Sequence, residues 1–520
     1  MKKRTLLICS LFLFLLLIIF NIFKSRNNLN DTLYVSFGSS DIKAKIINTK
    51  LSEEQIIKEY SDYDYVKIDK LVDIENLSYA EFKKKINNDE IFSYGIALDN
   101  NRIVLLSEEL NSNSIINRKE HDINFDNLNK YLSEKGIKTK INNLSRITIF
   151  KTESKYLNNN VFINLENKVG FNNRNITEIK NELPIIIKNT GQLLASMNEN
   201  GKYIYGYKSN LASKINSYNI LRHAGSTWSL ILYYEKYPSI ELRQTIEAAI
   251  EYLIDNFTVE YNDDIAFVVE KKAAEIKLGG NALTLLMLAE YKLVFSDSKY
   301  DDISKKIAEG IMYMQNEDGS FNHILDLNFN VEEKFRTVYY DGEATFSLLK
   351  YYKTNKDEYL LSQVKKSIDY FIDKNYEQYR DQWISYTLNE YVKINDDEKY
   401  ILFALLNYTY NKQKLDNNRT FGPTRLELLM TTLDTYNYAT ENIDSFNIND
   451  FNLKELKNSI EINFETLFNF YISEEVAMYL NNPILVLNGF HDIKSSFRMR
   501  IDDLQHSLLG IMKYNDLYND

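Results

Sequence analysis

The chain has 520 residues, of which 44% are hydrophobic and 26% charged, a balance that excludes global disorder and suggests more than one domain. Its formal net charge is −11, and it contains no concentrated basic face of the kind that binds a phosphate backbone. The composition therefore argues against a nucleic-acid partner. Only four prolines are present, which predicts long uninterrupted elements.

An apolar segment lies at the N-terminus, Leu6–Phe23, and only Ser10 and Asn21 interrupt its 18 residues. This is close to the length that crosses a bilayer. Three basic residues precede the segment, so the positive-inside rule predicts a cytoplasmic N-terminus with the bulk of the chain outside. Because no small-x-small cleavage site follows, residues 1–28 are predicted to be a retained single-pass anchor in the cell membrane. A cleaved signal stays the alternative.

Residues 29–180 have a short, mixed pattern and are predicted to form a small α+β domain. Short runs rich in Ile, Val, Tyr and Phe indicate strands at Thr32–Phe37, Lys43–Asn48, Ile91–Leu98, Arg102–Leu106 and Arg146–Phe150. Short helices are predicted at Glu53–Tyr60, Ala80–Asn87 and Phe125–Glu134. This part has no Gly-rich phosphate loop and no cluster of metal ligands, and Cys9 is the only cysteine of the chain. We therefore expect no cofactor and no metal site.

Residues 181–520 show a long helical periodicity and an internal repeat. Six segments share a polar or glycine-rich start followed by a helix that is apolar on all sides: Arg222–Glu235, Leu278–Tyr291, Tyr340–Tyr352, Gln382–Tyr391, Thr424–Tyr436 and Arg500–Tyr514. A more amphipathic helix precedes each of them: Glu182–Asn198, Ile240–Phe257, Asp301–Gln315, Glu358–Asp373, Glu398–Tyr410 and Asn452–Phe470. Amphipathic helices, which have one solvent-exposed face, alternate strictly with helices that are apolar on all sides. This alternation predicts two concentric layers, an outer layer of amphipathic helices and an inner layer of apolar ones.

This sixfold alternation resembles the (α/α)6 toroid of six-hairpin glycosidases and of related carbohydrate epimerases and lyases. The resemblance covers about 340 residues and depends on the alternation and on the helix starts, not on a single diagnostic motif. It implies a mainly α fold, in which the toroid follows the small α+β domain and the N-terminal transmembrane helix. It also implies a substrate site at the mouth of the ring, lined by the starts of the inner helices.

Rare and polar residues gather at the predicted inner helices. Both tryptophans and two of the five histidines lie on them. A shared polar cleft explains this distribution, since buried charges need partners. The predicted substrate-binding residues are Arg222, Trp228, Asn281, Tyr340, Asp341, Trp383, Arg425, Glu427, Arg500 and Asp503. Structural roles remain the alternative, because tryptophans also fill the core of a ring and charged pairs also brace it.

Closure of the ring predicts that His223 and His506 lie near each other, because it makes the first and last hairpins neighbours. Histidine titrates near neutrality and is suited to proton transfer. Glycoside hydrolysis instead needs two carboxyl groups beside the bond that breaks, and Glu343 with Asp502 is the predicted pair. These four residues are the predicted catalytic set.

The sequence does not separate this carboxylate pair from Glu427 with Asp503. In an epimerase or lyase, a histidine or tyrosine would remove a proton next to a carboxylate that Arg222 or Arg500 binds. The reaction type therefore stays open at this stage.

The leading hypothesis is an exported, membrane-anchored glycoside hydrolase that acts on a cell-surface or capsular glycan. Epimerisation or elimination of a uronic acid is the alternative reaction. A non-catalytic glycan-binding or assembly protein that uses the same cleft is the alternative from another class, because a fold alone does not decide a reaction. The expected partners are a carbohydrate and, through the N-terminal helix, the membrane.

Overall fold

The structure is a computed structural model that describes residues 32–86, 93–117, 120–333, 338–416, 420–443 and 451–519. It divides the chain into two compact units. The first unit contains the described residues up to Ile179 and two later segments, Ser209–Ala212 and Ile472–Leu487. The second unit contains the other described residues. The two later segments are an addition that the repeat pattern does not predict.

The predicted transmembrane segment lies outside the described residues. Among the described helices, Leu278–Phe295 is long and apolar enough to cross a membrane, by length and composition alone. It is 78% buried inside the protein, as in the core helix of a globular domain.

The first unit is built around an antiparallel sheet of eight strands. Six strands follow the order β10-β9-β8-β3-β1-β2, and β4 pairs with both β8 and β5. The strands of this unit are β1 (Leu33–Ser39), β2 (Ile42–Thr49), β3 (Tyr65–Ser78), β4 (Gly95–Leu98), β5 (Ile103–Leu105), β6 (Ile116–Asn117), β7 (Asp122–Ile123), β8 (Arg146–Asn158), β9 (Val161–Lys168) and β10 (Phe171–Asn173). Its first helices are α1 (Glu53–Tyr60), α2 (Tyr79–Ile86), α3 (Ser107–Ser112) and α4 (Phe125–Glu134), and α5 (Ile176–Asn181) follows them.

A buried ion cluster lies in this unit, and it explains why the sequence does not reveal β3, its longest strand. Lys67 and Asp69 of β3 are fully buried and form an ion pair of 2.6 Å, and Lys67 also lies 2.8 Å from Glu108. Burial disfavours the charged lysine, but the two carboxylates raise the pKa of Lys67 above its usual value. Charged residues at these inward positions conceal the apolar alternation that indicates a strand.

Tyr479 completes the cluster from the segment Ile472–Leu487. Its hydroxyl donates to Ser36 on β1 over 2.8 Å and lies 3.4 Å from the Lys67 ammonium. The core of the first unit therefore includes a side chain that the sequence supplies more than 400 residues after Lys67.

The second unit contains the helices of the toroid. The outer helices are α6 (Leu183–Ser196), α8 (Ile240–Phe257), α10 (Asp301–Tyr313), α12 (Glu358–Asp373), α14 (Glu398–Leu415) and α16 (Leu453–Phe468). The inner helices are α7 (Ile220–Lys236), α9 (Leu278–Phe295), α11 (Tyr340–Asn355), α13 (Gln382–Tyr391), α15 (Thr424–Asn442) and α17 (Ile501–Asn519). Each inner helix packs against the next one, and α17 packs against α7. The inner layer therefore closes into a ring, and the predicted alternation of helices is confirmed.

Burial follows the predicted difference between the layers. On the outer helix α8 the buried residues form one stripe at helical spacing: Leu242, Ile246, Ala249, Ile250 and Leu253. On the inner helix α9 every residue from Leu278 to Tyr291 is buried. Burying each large apolar side chain contributes about 1.5–3 kcal/mol, so the inner layer holds much of the stability of this unit.

Short strands form the turns of the second unit. They are β11 (Asn198–Glu199), β12 (Lys202–Tyr203), β13 (Gly206–Lys208), β14 (Ser213–Lys214), β15 (Thr258–Glu260), β16 (Ala266–Val268), β17 (Glu275–Lys277), β18 (Ile324–Asp326), β19 (Val331–Glu333) and β20 (Arg498–Arg500). The small sheet β14-β13-β20 joins the chain before the first inner helix to the chain before the last.

A charged pair also lies within the inner layer. Lys350 of α11 is 2.9 Å from Glu290 of α9, with only 10% and 6% of the two side chains exposed. The Trp228 indole N–H donates to the same carboxylate over 3.0 Å. Burial disfavours the charged lysine, yet Glu290 raises the pKa of Lys350.

Replacing Lys350 by methionine leaves the Glu290 carboxylate buried without its cation. We expect the free energy of unfolding to fall by about 3 kcal/mol, because the desolvation of that carboxylate is no longer offset. The double variant Lys350→Met/Glu290→Gln should regain most of this loss, since glutamine still accepts from Trp228. Denaturant unfolding measures both variants.

The matched control is Lys353→Met, which removes a more exposed lysine that lies 2.6 Å from Glu390. This change should lower the stability by less than about 1 kcal/mol, because solvent screens the pair. Equal losses in Lys350→Met and Lys353→Met would contradict the assignment of a buried pair.

Candidate active site

A cavity of roughly 310 Å³ lies where the inner helices begin. All six inner helices contribute residues to its wall. Eight of the predicted site residues line it: Arg222, Tyr340, Glu343, Trp383, Arg500, Asp502, Asp503 and His506. The helix starts therefore converge as the toroid resemblance implies.

A network of arginines and aspartates forms one wall of the cavity. Asp502 lies 2.9 Å from Arg222 of α7 and 3.0 Å from Arg500. Arg500 also lies 3.0 Å from Asp503. Burial and the neighbouring Asp502 raise the pKa of Asp503, and Arg500 opposes them. The network links the first inner helix to the last and holds two guanidinium groups at the cavity.

His506, in the second turn of α17, forms a second polar group at the cavity. Its Nδ1 lies 2.7 Å from Glu427 Oε1, and the Tyr386 hydroxyl donates to Glu427 Oε2 over 2.7 Å. Burial by itself lowers the pKa of His506, but the Glu427 carboxylate raises it above its usual value. Glu427 is fully buried, whereas 16% of the His506 side chain is exposed. Glu427 therefore fixes the His506 ring through Nδ1, and the histidine remains accessible from the cavity.

Glu343 enters the cavity wall from the first turn of α11. Gly279 of α9 makes this possible, because a Cβ at that position would lie 2.5 Å from Glu343 Oε2 and 2.6 Å from the Tyr340 ring. The glycine thus serves the close approach of α9 to α11.

Several predicted site residues brace the ring instead of lining the cavity. Asp341 lies 2.9 Å from His323 Nε2 and accepts from the Tyr376 hydroxyl over 2.8 Å. Asn281 bonds the backbone N–H and carbonyl of Val268. Both Asp341 and Asn281 are buried. These polar side chains fix loops to the inner helices, as the structural alternative expects.

The remaining predicted residues have different positions. Trp228 packs against Trp383 with ring centroids 5.6 Å apart, so the two tryptophans fill the centre of the ring, although Trp383 also lines the cavity. Arg425 donates to Thr420 Oγ1 over 2.7 Å and does not line the cavity. Glu427, two residues further along the same helix, contacts His506.

The structure does not bring His223 to the cavity. This side chain is fully buried, with Nε2 lying 2.9 Å from the Ala249 carbonyl of the outer helix α8 and Nδ1 lying 3.1 Å from the Tyr218 hydroxyl. Burial lowers the pKa of His223 to about 4. The predicted pairing of His223 with His506 therefore has no support in the geometry.

The buried His223 predicts a pH dependence of stability. Its pKa is about 4 in the folded protein, whereas a histidine in an unfolded chain has a pKa of about 6.5, so the unfolded chain binds one more proton between these pH values. Stability should therefore fall by on the order of 3 kcal/mol as the pH drops from about 6.5 to about 4. In His223→Gln this contribution should be absent, which thermal unfolding across that pH range measures.

Asn281→Ser serves as the control, since it disturbs a buried polar side chain that does not titrate. It should lower stability by a similar amount at every pH. An unchanged pH slope in His223→Gln would show that the histidine is not the group responsible.

Sequence reasoning missed three residues that shape the cavity. Arg498, on β20, lines the cavity and lies 3.6 Å from Asp503. Tyr339 lines it with a left-handed φ of 83°, a strained conformation for a tyrosine. Asp381 accepts from the backbone N–H groups of Tyr339 and Trp383, both over 2.8 Å, and burial raises its pKa to about 7. The position of Asp381 just before an apolar helix is an N-cap signal that would have identified it.

No group of three or more histidine, cysteine, aspartate or glutamate side chains in the described part of the chain is arranged to hold a metal ion.

Solved structures share this arrangement of helices. A D-mannose isomerase matches 66% of this chain and 99% of its own length at 10% identity, with a TM-score of 0.50. A cellobiose 2-epimerase from Bacillus thermoamylovorans matches 65% and 100% at 11% identity, with a TM-score of 0.49. An unsaturated glucuronyl hydrolase specific for heparin matches 66% and 99% at 12% identity, with a TM-score of 0.48. At its low identity the isomerase shows a shared fold, which confirms the (α/α)6 toroid. No protein-family model and no curated protein matches the sequence.

Proposed function

We propose that this chain is a carbohydrate-active enzyme that moves a proton on a bound sugar, a reaction of the epimerase or isomerase class. The observation that carries this proposal is His506, which reaches the cavity while the buried Glu427 holds its Nδ1 over 2.7 Å. A histidine backed by a carboxylate is a general acid and base that works near neutral pH. The isomerase that shares the fold is consistent with this class of reaction.

The geometry assigns a role to each nitrogen of His506. A carboxylate only accepts hydrogen bonds, so Nδ1 carries the proton and Nε2 is free to take one from a carbon of the substrate. The charge of Glu427 then stabilises the imidazolium that forms, and the Tyr386 hydroxyl fixes that carboxylate. Glu343, on the wall formed by α11, is the candidate for the second proton transfer.

The arginines supply the complementary charge. Removing a proton beside a carbonyl or carboxylate group places negative charge on an oxygen of the substrate. Arg222 and Arg500 line the cavity and are already held by Asp502, so little reorganisation is needed to stabilise that charge. This arrangement also suits a uronic acid, whose carboxylate a guanidinium group binds.

Hydrolysis by Glu343 with Asp502 is the second candidate, because both carboxyl groups line the cavity. The contacts of Asp502 make hydrolysis the weaker candidate, since two guanidinium groups lie within 3.0 Å of the Asp502 oxygens. An attacking water would have to compete with these guanidinium groups for the Asp502 oxygens.

Turnover in D2O separates the two reactions. We expect deuterium at a sugar carbon, detected by NMR, when mono- and oligosaccharides, including uronic acids, are incubated with the protein. His506→Gln should reduce this exchange by about 10²–10⁴-fold, the usual contribution of a general base. Lys305→Gln on the outer helix α10 is the control and should keep full activity.

The variant Glu427→Gln tests how His506 is held. Removing the negative charge of Glu427 should lower the pKa of His506. The acidic limb of the pH profile of kcat/KM should therefore move to lower pH. New reducing ends without deuterium at carbon, lost in Glu343→Gln and Asp502→Asn but kept in His506→Gln, would assign hydrolysis. Binding of a glycan without any turnover would assign a binding protein.

We also propose that residues 1–28 anchor the chain in the cell membrane with the enzyme outside, as the apolar segment Leu6–Phe23 suggests. Cell fractionation should recover the full-length chain with the membranes, and deletion of residues 1–26 should release it. A soluble mature form that begins after residue 23 would show a cleaved signal instead.

A further inference from the structure

We infer that the substrate is a chain of acidic sugars, which extends from the catalytic cavity into a second groove of the toroid unit. This inference rests on the proposed function for the reacting sugar, but the groove is an independent observation. Two adjoining cavities of roughly 400 and 200 Å³ form it. They share Lys202, Tyr218 and Lys272, so they are parts of one depression, which we call the lysine groove.

Aromatic rings form the apolar part of the lysine groove. Tyr218 stacks on Phe257 with ring centroids 5.1 Å apart and an interplanar angle of 12°. The hydroxyl of Tyr218 lies 3.1 Å from Nδ1 of the buried His223, which fixes the orientation of the ring. Both rings are half-buried. Rigid, partly exposed aromatic rings of this kind pack against the apolar faces of sugars at little entropic cost.

Three lysines form the polar part, and two of them lie over the aromatic rings: Lys202 Nζ is 5.7 Å from the Tyr218 ring centroid and Lys271 Nζ is 6.0 Å from that of Phe257. Lys202, Lys271 and Lys272 are exposed, and within the described part of the chain none of them forms an ion pair. Of the neighbouring charges, Lys214 pairs with Glu199 over 2.8 Å, and Lys277 pairs with both Glu270 over 3.2 Å and Glu275 over 3.0 Å. The three lysines therefore exceed the one carboxylate that is left over, and the groove is locally positive on a chain with a net charge of −11. They match a ligand that carries repeated negative charges.

Arg222 connects the lysine groove to the catalytic cavity. Its Nη1 donates to the Tyr205 hydroxyl over 2.6 Å, and its Nε lies 2.9 Å from Asp502. Tyr205 lines the larger part of the groove, whereas Arg222 and Asp502 line the cavity. The two depressions are thus neighbours across the Arg222–Tyr205 contact, and in this proposal a sugar chain bound in the cavity passes Tyr205 toward Tyr218. A monosaccharide substrate would leave the groove unused.

Binding by the full-length chain tests this inference. The probes are oligogalacturonates of two and eight units, a heparin-derived octasaccharide and neutral maltooctaose, measured by calorimetry at low salt. We expect the acidic octamers to bind about tenfold more tightly than the acidic dimer, and the difference to shrink as salt rises. The triple variant Lys202→Gln/Lys271→Gln/Lys272→Gln should lose this tenfold gain and leave dimer binding unchanged.

The matched control removes the same charge elsewhere on the toroid unit, in Lys305→Gln/Lys366→Gln/Lys457→Gln. These exposed lysines lie on the outer helices α10, α12 and α16, and the variant should bind the octamers like the wild type. Binding of only the heparin octamer would identify sulfate groups, not carboxylates, as the charges that the lysines contact.

Two results would overturn the inference: unchanged octamer binding in the groove variant, or equally tight binding of maltooctaose. A failure of this inference can be distinguished from a failure of the proposed function. Lysine-dependent binding without proton exchange would remove the proposed reaction and keep the groove, whereas proton exchange without lysine-dependent binding would do the reverse.

Discussion

Arg222 and Arg500 both contact Asp502, and this contact lies where the last inner helix of the toroid returns to the first. Apolar packing closes the ring. The ion pairs of Asp502 with Arg222 on α7 (2.9 Å) and with Arg500 just before α17 (3.0 Å) add a short-range attraction that favours one height at which α7 and α17 meet. The cavity, its arginines and the position of His506 all depend on that alignment.

Two histidine–carboxylate pairs near the starts of inner helices have similar contacts but differ in their exposure to the cavity. His323 with Asp341 and His506 with Glu427 have contacts of 2.9 and 2.7 Å. The His323 pair is sealed, with side-chain exposures of 0% and 1%, whereas 16% of His506 is exposed. A sealed pair fixes a loop, whereas a pair with one open side is accessible to a ligand in the cavity. Exposure to the cavity, and not the residue types, therefore distinguishes the structural pair His323–Asp341 from the candidate catalytic pair His506–Glu427.

The sequence predicts the helices well, because local signals specify them. The predicted bounds of Ile240–Phe257 agree with the structure, in which Ser239 caps that helix. The sequence does not predict the directions in which side chains point. Arg222 and His223 are adjacent, but consecutive residues of a helix point about 100° apart, so only one of them faces the cavity. Arg498 and the lysine groove come from loops and short strands, whose positions the repeat does not encode.

The segment Ile472–Leu487 makes the order of synthesis matter for the first unit. The sheet around Lys67 is translated before Tyr479, which closes its buried cluster from more than 400 residues further along the chain. Until Tyr479 has been made, Lys67 lacks its contact with that hydroxyl. N-terminal folding during translation is the usual order for a protein of several domains. Here the first unit completes its buried cluster only after the helices α6 to α16 have been translated.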